Sequence, residues 1–141
     1  MSTVAYRDAP TSPMPLVVAF GGRVFGLDPH TGARRWRVDF GTRFMVRLAP
    51  VDETAVIART IGVLALIATE TGAVVWRHEV KAAVDGLLVA VPYVYVAGRR
   101  EVRCYALQDG TLLWADEFKG EGVGDVALAL GHRVTQVDHS G

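Results

Sequence analysis

Imidazole and carboxylate side chains are the groups of this sequence best suited to bind a metal or to move a proton near neutral pH. The four histidines are His30, His78, His132 and His139. Two of them have an acidic neighbour, because Asp28 lies two residues before His30 and Asp138 directly precedes His139. Neither pair stands beside a serine in a recognisable nucleophile setting, and the histidines lack the close spacing of a metal cluster. The pattern predicts ordinary surface histidines and an Asp28 that caps a turn.

Three alternating glycines, Gly120, Gly122 and Gly124, are the second candidate, because glycine-rich loops bind phosphate. Such loops present their backbone N–H groups at the start of a helix. The residues that follow here have the composition of a strand. The three glycines therefore predict a flexible connection and no phosphate site.

Basic residues are densest at Arg34, Arg35 and Arg37, and again at Arg99 and Arg100. They could bind an acidic partner, or they could form the solvated face of a strand. The whole chain has 15 basic and 15 acidic side chains, and this balance favours the solvated face. We therefore expect no binding to nucleic acid or to a membrane surface.

Cys104 is the single cysteine, so an intrachain disulfide and a cysteine-based zinc site are both excluded. Its neighbours Val102 and Tyr105 are typical of a strand, and they predict a small, half-buried core thiol. We find no secretion signal and no apolar run long enough to span a membrane, and we expect a cytoplasmic protein. No catalytic, cofactor-binding or metal-binding residue is predicted, and no cofactor.

The elements that position these side chains belong to an internal repeat. Each of the three tryptophans follows a glycine by four residues, and successive tryptophans are 40 and then 38 residues apart. The three segments are TGARRW, TGAVVW and DGTLLW, and they end at Trp36, Trp76 and Trp114. Similar triplets precede them at residues 25–27, 64–66 and 105–107.

Short runs of β-branched and aromatic residues fill each repeat, with turn residues between them. Dipeptides that end in glycine, such as Thr31-Gly32, suit tight hairpins, because glycine accepts a positive φ. Pro50 and Pro92 each end an apolar run. A period of about 40 residues with four strands is typical of a propeller blade.

Residues 26–36, GLDPHTGARRW, resemble the A-x-D-x-x-T-G-x-x-x-W repeat of the pyrroloquinoline quinone-like propellers. The second copy has Ala68 in place of the aspartate and an extra turn residue, and the third has a turn shortened to residues 108–110. The resemblance covers residues 15–138. It implies that Trp36, Trp76 and Trp114 are structural, because the tryptophan of that family lies between neighbouring blades.

The predicted fold class is all-β, a partial β-propeller of about three four-stranded antiparallel blades. A flexible arm over residues 1–14 precedes repeats at about 15–40, 41–80 and 81–118 and a partial repeat at 119–141. The arm could instead contain a short strand through residues 4–6. The first blade lacks one strand and the last has about two.

We expect the open blades to be completed by oligomerisation, most simply a homodimer whose ring has roughly six or seven blades, with the C-terminal strands of one chain completing the first blade of the other. Two alternatives remain: the chain is part of a longer propeller, or it is half of an assembly with a different protein.

The function that these expectations favour is a non-catalytic scaffold that binds other proteins through its face and loops. A small-molecule or carbohydrate-binding propeller is the alternative, with one pocket in each blade. Such pockets would need the same polar residue at one repeat position, where the sequence has Arg34, Val74 and Leu112. A quinoprotein-related enzyme is the third possibility, and this chain lacks the length and the adjacent cysteines that the resemblance implies for such enzymes.

Overall fold

The computed structural model describes residues 14–80, 86–98, 100–122, 126–131 and 133–135. In this described part the regular structure is entirely β-strand, so it contains no helix that could cross a membrane. The strands are β1 (Leu16–Phe20), β2 (Arg23–Leu27), β3 (Arg34–Asp39), β4 (Arg47–Pro50), β5 (Ala55–Thr60), β6 (Val63–Ala68), β7 (Val74–Glu79), β8 (Gly86–Ala90), β9 (Tyr93–Gly98), β10 (Glu101–Ala106), β11 (Leu112–Asp116), β12 (Leu128–Leu130) and β13 (Arg133–Thr135). Apart from Met14, the arm predicted over residues 1–14 lies outside the described residues.

The strands form antiparallel sheets in chain order, as the all-β partial propeller predicts. Strands β1–β3 form blade 1, β4–β7 form blade 2 and β8–β11 form blade 3, while β12 and β13 pair as a separate hairpin. Within the described residues blade 1 has three strands, one fewer than blades 2 and 3, and the missing first strand stays a prediction because residues 1–13 lie outside them. The exact repeat boundaries stay a prediction.

The turn before the tryptophan strand has the same length in all three blades. In blade 1 the N–H of Asp28 donates to Ala33 O at 2.7 Å and the N–H of Gly32 donates to Asp28 O at 2.8 Å. Turns 68–73 and 106–111 repeat both bonds at 2.8–2.9 Å. The extra residue and the shortened turn expected for the second and third copies are therefore wrong.

The physical reason is that apolar triplets look alike when they are shifted along a strand. A register shift follows Gly26 in blade 1, Leu66 in blade 2 and Cys104 in blade 3, and each of these residues is opposite the tryptophan of its own blade. The triplets matched in the sequence therefore occupy different places in the three sheets. Pairing with the tryptophan strand sets the true register.

The hydrophobic core lies between the blades. One cluster joins blades 1 and 2, with Val24 and Val56 among its buried members, and a second joins blades 2 and 3, with Leu64 and Val94. Blade 2 is thus covered on both faces, and β6 is a nearly continuous buried run. A strand covered on both faces loses the alternation of polar and apolar residues that marks a half-exposed strand.

Candidate functional site

Blade 1 docks on blade 2 through Trp36. The indole N–H of Trp36 donates to Thr69 O at 2.8 Å, and the ring lies over Gly72 in turn 68–73. A Cβ on Gly72 would lie 2.6 Å from the ring, and Gly72 has a φ of +78°. Glycine is therefore required at this position by the ring and by the backbone. The contact confirms the structural role expected for Trp36.

Blade 2 docks on blade 3 in the same way. The indole N–H of Trp76 donates to Leu107 O at 2.8 Å, and Gly110 lies against the rings of Trp76 and His78. The Nε2 atom of His78 is 3.0 Å from Asp109 O. His78 is a partly exposed histidine that also contributes to the joint between the two blades, a contact that was not predicted from the sequence.

Trp114 has no such docking partner among the described residues. Its ring lies 6.2 Å from that of Tyr95 within its own blade, and the side chain is 48% exposed. At the other end of the arc, a Cβ on Gly32 would have no described atom within 4 Å. The docking turns of blades 2 and 3 are thus covered by a tryptophan, whereas no tryptophan among the described residues covers the turn of blade 1.

Large apolar side chains are exposed at one end of the strands of blades 1 and 2. This apolar end consists of Phe20, Phe44, Met45 and Ile61, with Phe20 76% exposed. The loops that carry these residues are joined, because the N–H of Phe40 donates to Gly22 O at 3.1 Å and the Thr60 hydroxyl donates to Met45 O at 3.0 Å. These hydrogen bonds therefore place the exposed apolar side chains at one end of two neighbouring blades.

A cleft of about 390 Å³ opens between blades 1 and 2 at the opposite end of the strands. Its walls are mostly apolar and include Val17, Leu48 and Val56. Asp52 and Glu53 add acidic groups at its rim. Hydrogen bonds from the side chain and the backbone N–H of Thr54 lower the pKa of Asp52, which keeps this carboxyl group ionised.

Asp28 caps its turn as predicted. Its Oδ1 accepts the N–H of His30 at 2.8 Å and the N–H of Thr31 at 3.2 Å, and its Oδ2 is 3.2 Å from the guanidinium of Arg35. The bond from His30 makes the largest contribution to lowering the pKa of Asp28. No cluster of metal-ligating side chains occurs within the described residues. His132, Asp138 and His139 lie outside them.

The arginines of β3 lie on an exposed strand, as expected. Arg35 pairs with Asp28, and the guanidinium carbon of Arg34 lies 5.0 Å from the centre of the Phe25 ring. Cys104 is fully buried, so the prediction of a half-buried thiol understated its burial. Burial raises the pKa of this thiol.

The alternating glycines are followed by strand β12, in keeping with a connection between blades. Gly120 and Gly122 have φ values of +81° and +105°, and Gly124 lies outside the described residues. The helix start that a phosphate loop requires is absent from the described residues here.

A family model described as outer membrane protein assembly factor BamB matches residues 20–90 and 62–140 of this chain. No curated protein matches. Among solved structures, BamB from Moraxella catarrhalis is 19% identical with a TM-score of 0.66, and the match covers 94% of this chain and 42% of that protein.

Two quinoprotein-type enzymes are also similar in fold. A europium-containing methanol dehydrogenase is 20% identical with a TM-score of 0.55, over 75% of this chain and 23% of the enzyme. The quinohemoprotein alcohol dehydrogenase from Comamonas testosteroni is 16% identical with a TM-score of 0.52, over 76% and 21%. This chain spans less than half the length of each of the three proteins, and at these identities the likeness concerns the fold.

Proposed function

We propose, from the premise that this chain belongs to the pyrroloquinoline quinone-like propeller family whose model is described as outer membrane protein assembly factor BamB, that it is a non-catalytic scaffold that binds other proteins. The name of that family describes an assembly factor, and a binding role agrees with it. The partner stays open, because this chain covers 42% of the similar BamB structure.

The observation that carries this proposal is the apolar end. Phe20 at the end of β1 is 76% exposed and Phe44 in the next loop region is 56% exposed, and hydrogen bonds join the neighbouring segments. Contiguous exposed apolar side chains are costly in water, and they mark surfaces that another protein covers. Aromatic side chains at the centre of such a surface supply most of the binding free energy.

The test compares two variants in an affinity capture from the source organism, followed by a titration with each purified partner that is identified. The double variant Phe20→Ser and Phe44→Ser removes both exposed rings. Val75→Ser is the matched control, because Val75 is also 56% exposed and lies on strand β7 away from the apolar end. We expect the double variant to weaken binding about 30-fold and the control to bind like the wild type. Equal binding by all three proteins would contradict this role of the apolar end.

The non-catalytic part of the proposal competes with a quinoprotein-type enzyme. A titration of the purified chain with pyrroloquinoline quinone and Ca²⁺, followed by its absorption spectrum and by alcohol oxidation with a dye acceptor, separates the two functions. We expect the absorption spectrum of the mixture to equal the sum of the spectra of the chain and the quinone, and we expect no reduction of the dye. Saturable quinone binding together with dye reduction would contradict the proposal of a non-catalytic scaffold.

The proposal includes self-association as a homo-oligomer, with the dimer as its simplest form. In the part of the chain that the structure describes, blade 1 has one strand fewer than blades 2 and 3, and unpaired strand edges favour association. A cytoplasmic location also stays part of the proposal, and cell fractionation tests it.

A further inference from the structure

The joint between blades 1 and 2 and the joint between blades 2 and 3 are built from the same contacts. In each, a tryptophan N–H donates at 2.8 Å to the carbonyl that lies three residues before a turn glycine, namely Thr69 O before Gly72 and Leu107 O before Gly110. In each, the glycine has a positive φ and a Cβ there would collide with the ring. The joint therefore needs a preformed turn, a bare glycine and a free carbonyl.

Turn 28–33 of blade 1 has all three features. Its two internal hydrogen bonds are those of the other docking turns, and Gly32 has a φ of +77°. The carbonyl three residues before Gly32 belongs to Pro29, which is exposed. Nothing within the described residues would touch a Cβ on Gly32. The turn is thus a docking turn without its tryptophan.

Blade 3 carries the complementary tryptophan. Trp114 is opposite Cys104 in the sheet, at the register position that Trp36 and Trp76 hold opposite Gly26 and Leu66. The Trp114 side chain is 48% exposed, and no acceptor for its N–H occurs among the described residues. A buried indole is stabilised when its N–H finds an acceptor.

We propose that Trp114 of one copy docks on turn 28–33 of a second copy, with its indole N–H donating to Pro29 O and its ring lying over Gly32. This inference rests on the self-association within the proposed function, and it names the contact. The second copy is the fitting occupant because every copy carries both halves of a joint that the fold already makes twice. Such a head-to-tail contact closes into a ring when the rotation between copies allows it.

Sedimentation equilibrium of the 141-residue chain across micromolar concentrations tests the contact. Trp114→Ala removes the ring, and Leu113→Ala is its control because Leu113 is equally exposed and lies on the same strand, β11. Gly32→Ala places a methyl group where the ring would lie. Gly62→Ala is its control, since Gly62 also has a positive φ and open space but lies in a different turn.

We expect the wild type and both controls to associate, and Trp114→Ala and Gly32→Ala to raise the dissociation constant about 30-fold. An equimolar mixture of these two variants restores one intact contact and is expected to form a dimer that neither variant forms alone. Far-UV circular dichroism checks that each variant is folded. If a variant does not fold, Trp114→Phe, which keeps a ring but loses the N–H donor, is expected to weaken association.

Two results would overturn the inference, and they have different consequences. If the wild type associates and the variants Trp114→Ala, Trp114→Phe and Gly32→Ala associate equally well, the proposed contact is refuted. Self-association by another surface then still stands. If the wild type is monomeric, both the proposed contact and self-association are refuted. Protein binding by the apolar end is tested separately by its own titration.

Discussion

Gly72→Ala tests whether docked tryptophans hold the blades together. A Cβ on Gly72 would lie 2.6–2.8 Å from three ring carbons of Trp36, well inside contact distance. The ring must move outward to make room. Because the same ring donates to Thr69 O at 2.8 Å, this movement also lengthens the hydrogen bond between the blades.

The expected loss of stability has two parts. An L-residue at a φ of +78° costs about 1 kcal/mol whatever surrounds it. The collision and the weakened hydrogen bond add about 2 kcal/mol. Gly62→Ala isolates the first part, because Gly62 has a φ of +85° and no atom within 4 Å of a Cβ.

Urea unfolding of the wild type and the two variants, followed by circular dichroism, measures the difference. We expect Gly72→Ala to be less stable than Gly62→Ala by about 2 kcal/mol, with the same m-value. A difference below about 0.5 kcal/mol would refute the reasoning, since it would mean that the indole moves without cost.

Three further predictions concern other parts of the chain. Trp76→Phe keeps a ring but leaves Leu107 O without its donor, and we expect urea unfolding to show a loss of about 1 to 2 kcal/mol; an unchanged midpoint would contradict a role for the hydrogen bond. Turn hydrogen bonds lower the pKa of Asp28, so its stabilising contribution is present above the unfolded-state pKa and is lost as the pH falls through the folded one; we expect the thermal midpoint to be constant above pH about 5 and to fall below pH about 4, and a rise on acidification would contradict this sign. Burial raises the pKa of Cys104, so we expect a disulfide reagent to react slowly with the native thiol and quickly in urea; fast reaction in both states would show that the thiol is accessible.

Local chemistry made most of the fold predictable. The tryptophan spacing and the turn glycines indicate a blade of about 40 residues, because the same tight turn and the same strand recur at that interval. The capping role of Asp28 could also be predicted, since its partners lie two and three residues away. The strand register of the three copies could not be predicted from the sequence. Apolar triplets shifted along a strand have the same composition, and only pairing across the sheet distinguishes them.

The candidate site depended on contacts between residues far apart in the chain. His78 and Asp109 are 31 residues apart, and no local pattern marks their contact. The apolar end likewise combines Phe20, at the end of β1, with Met45 and Ile61 from two separate loops. Exposure of such residues is a property of the assembled blades, since a sequence shows that a side chain is apolar but not what covers it.

The repeat, the strand-rich composition and the three Gly-to-Trp spacings belong to the sequence alone, and they determine a propeller-type fold. Only the tertiary structure separates Trp36 and Trp76, which are docked, from Trp114, which is exposed. The physical reason is that the three tryptophans have the same local setting, whereas the acceptor of each indole lies on the neighbouring blade. Docking therefore depends on which blade stands beside each tryptophan.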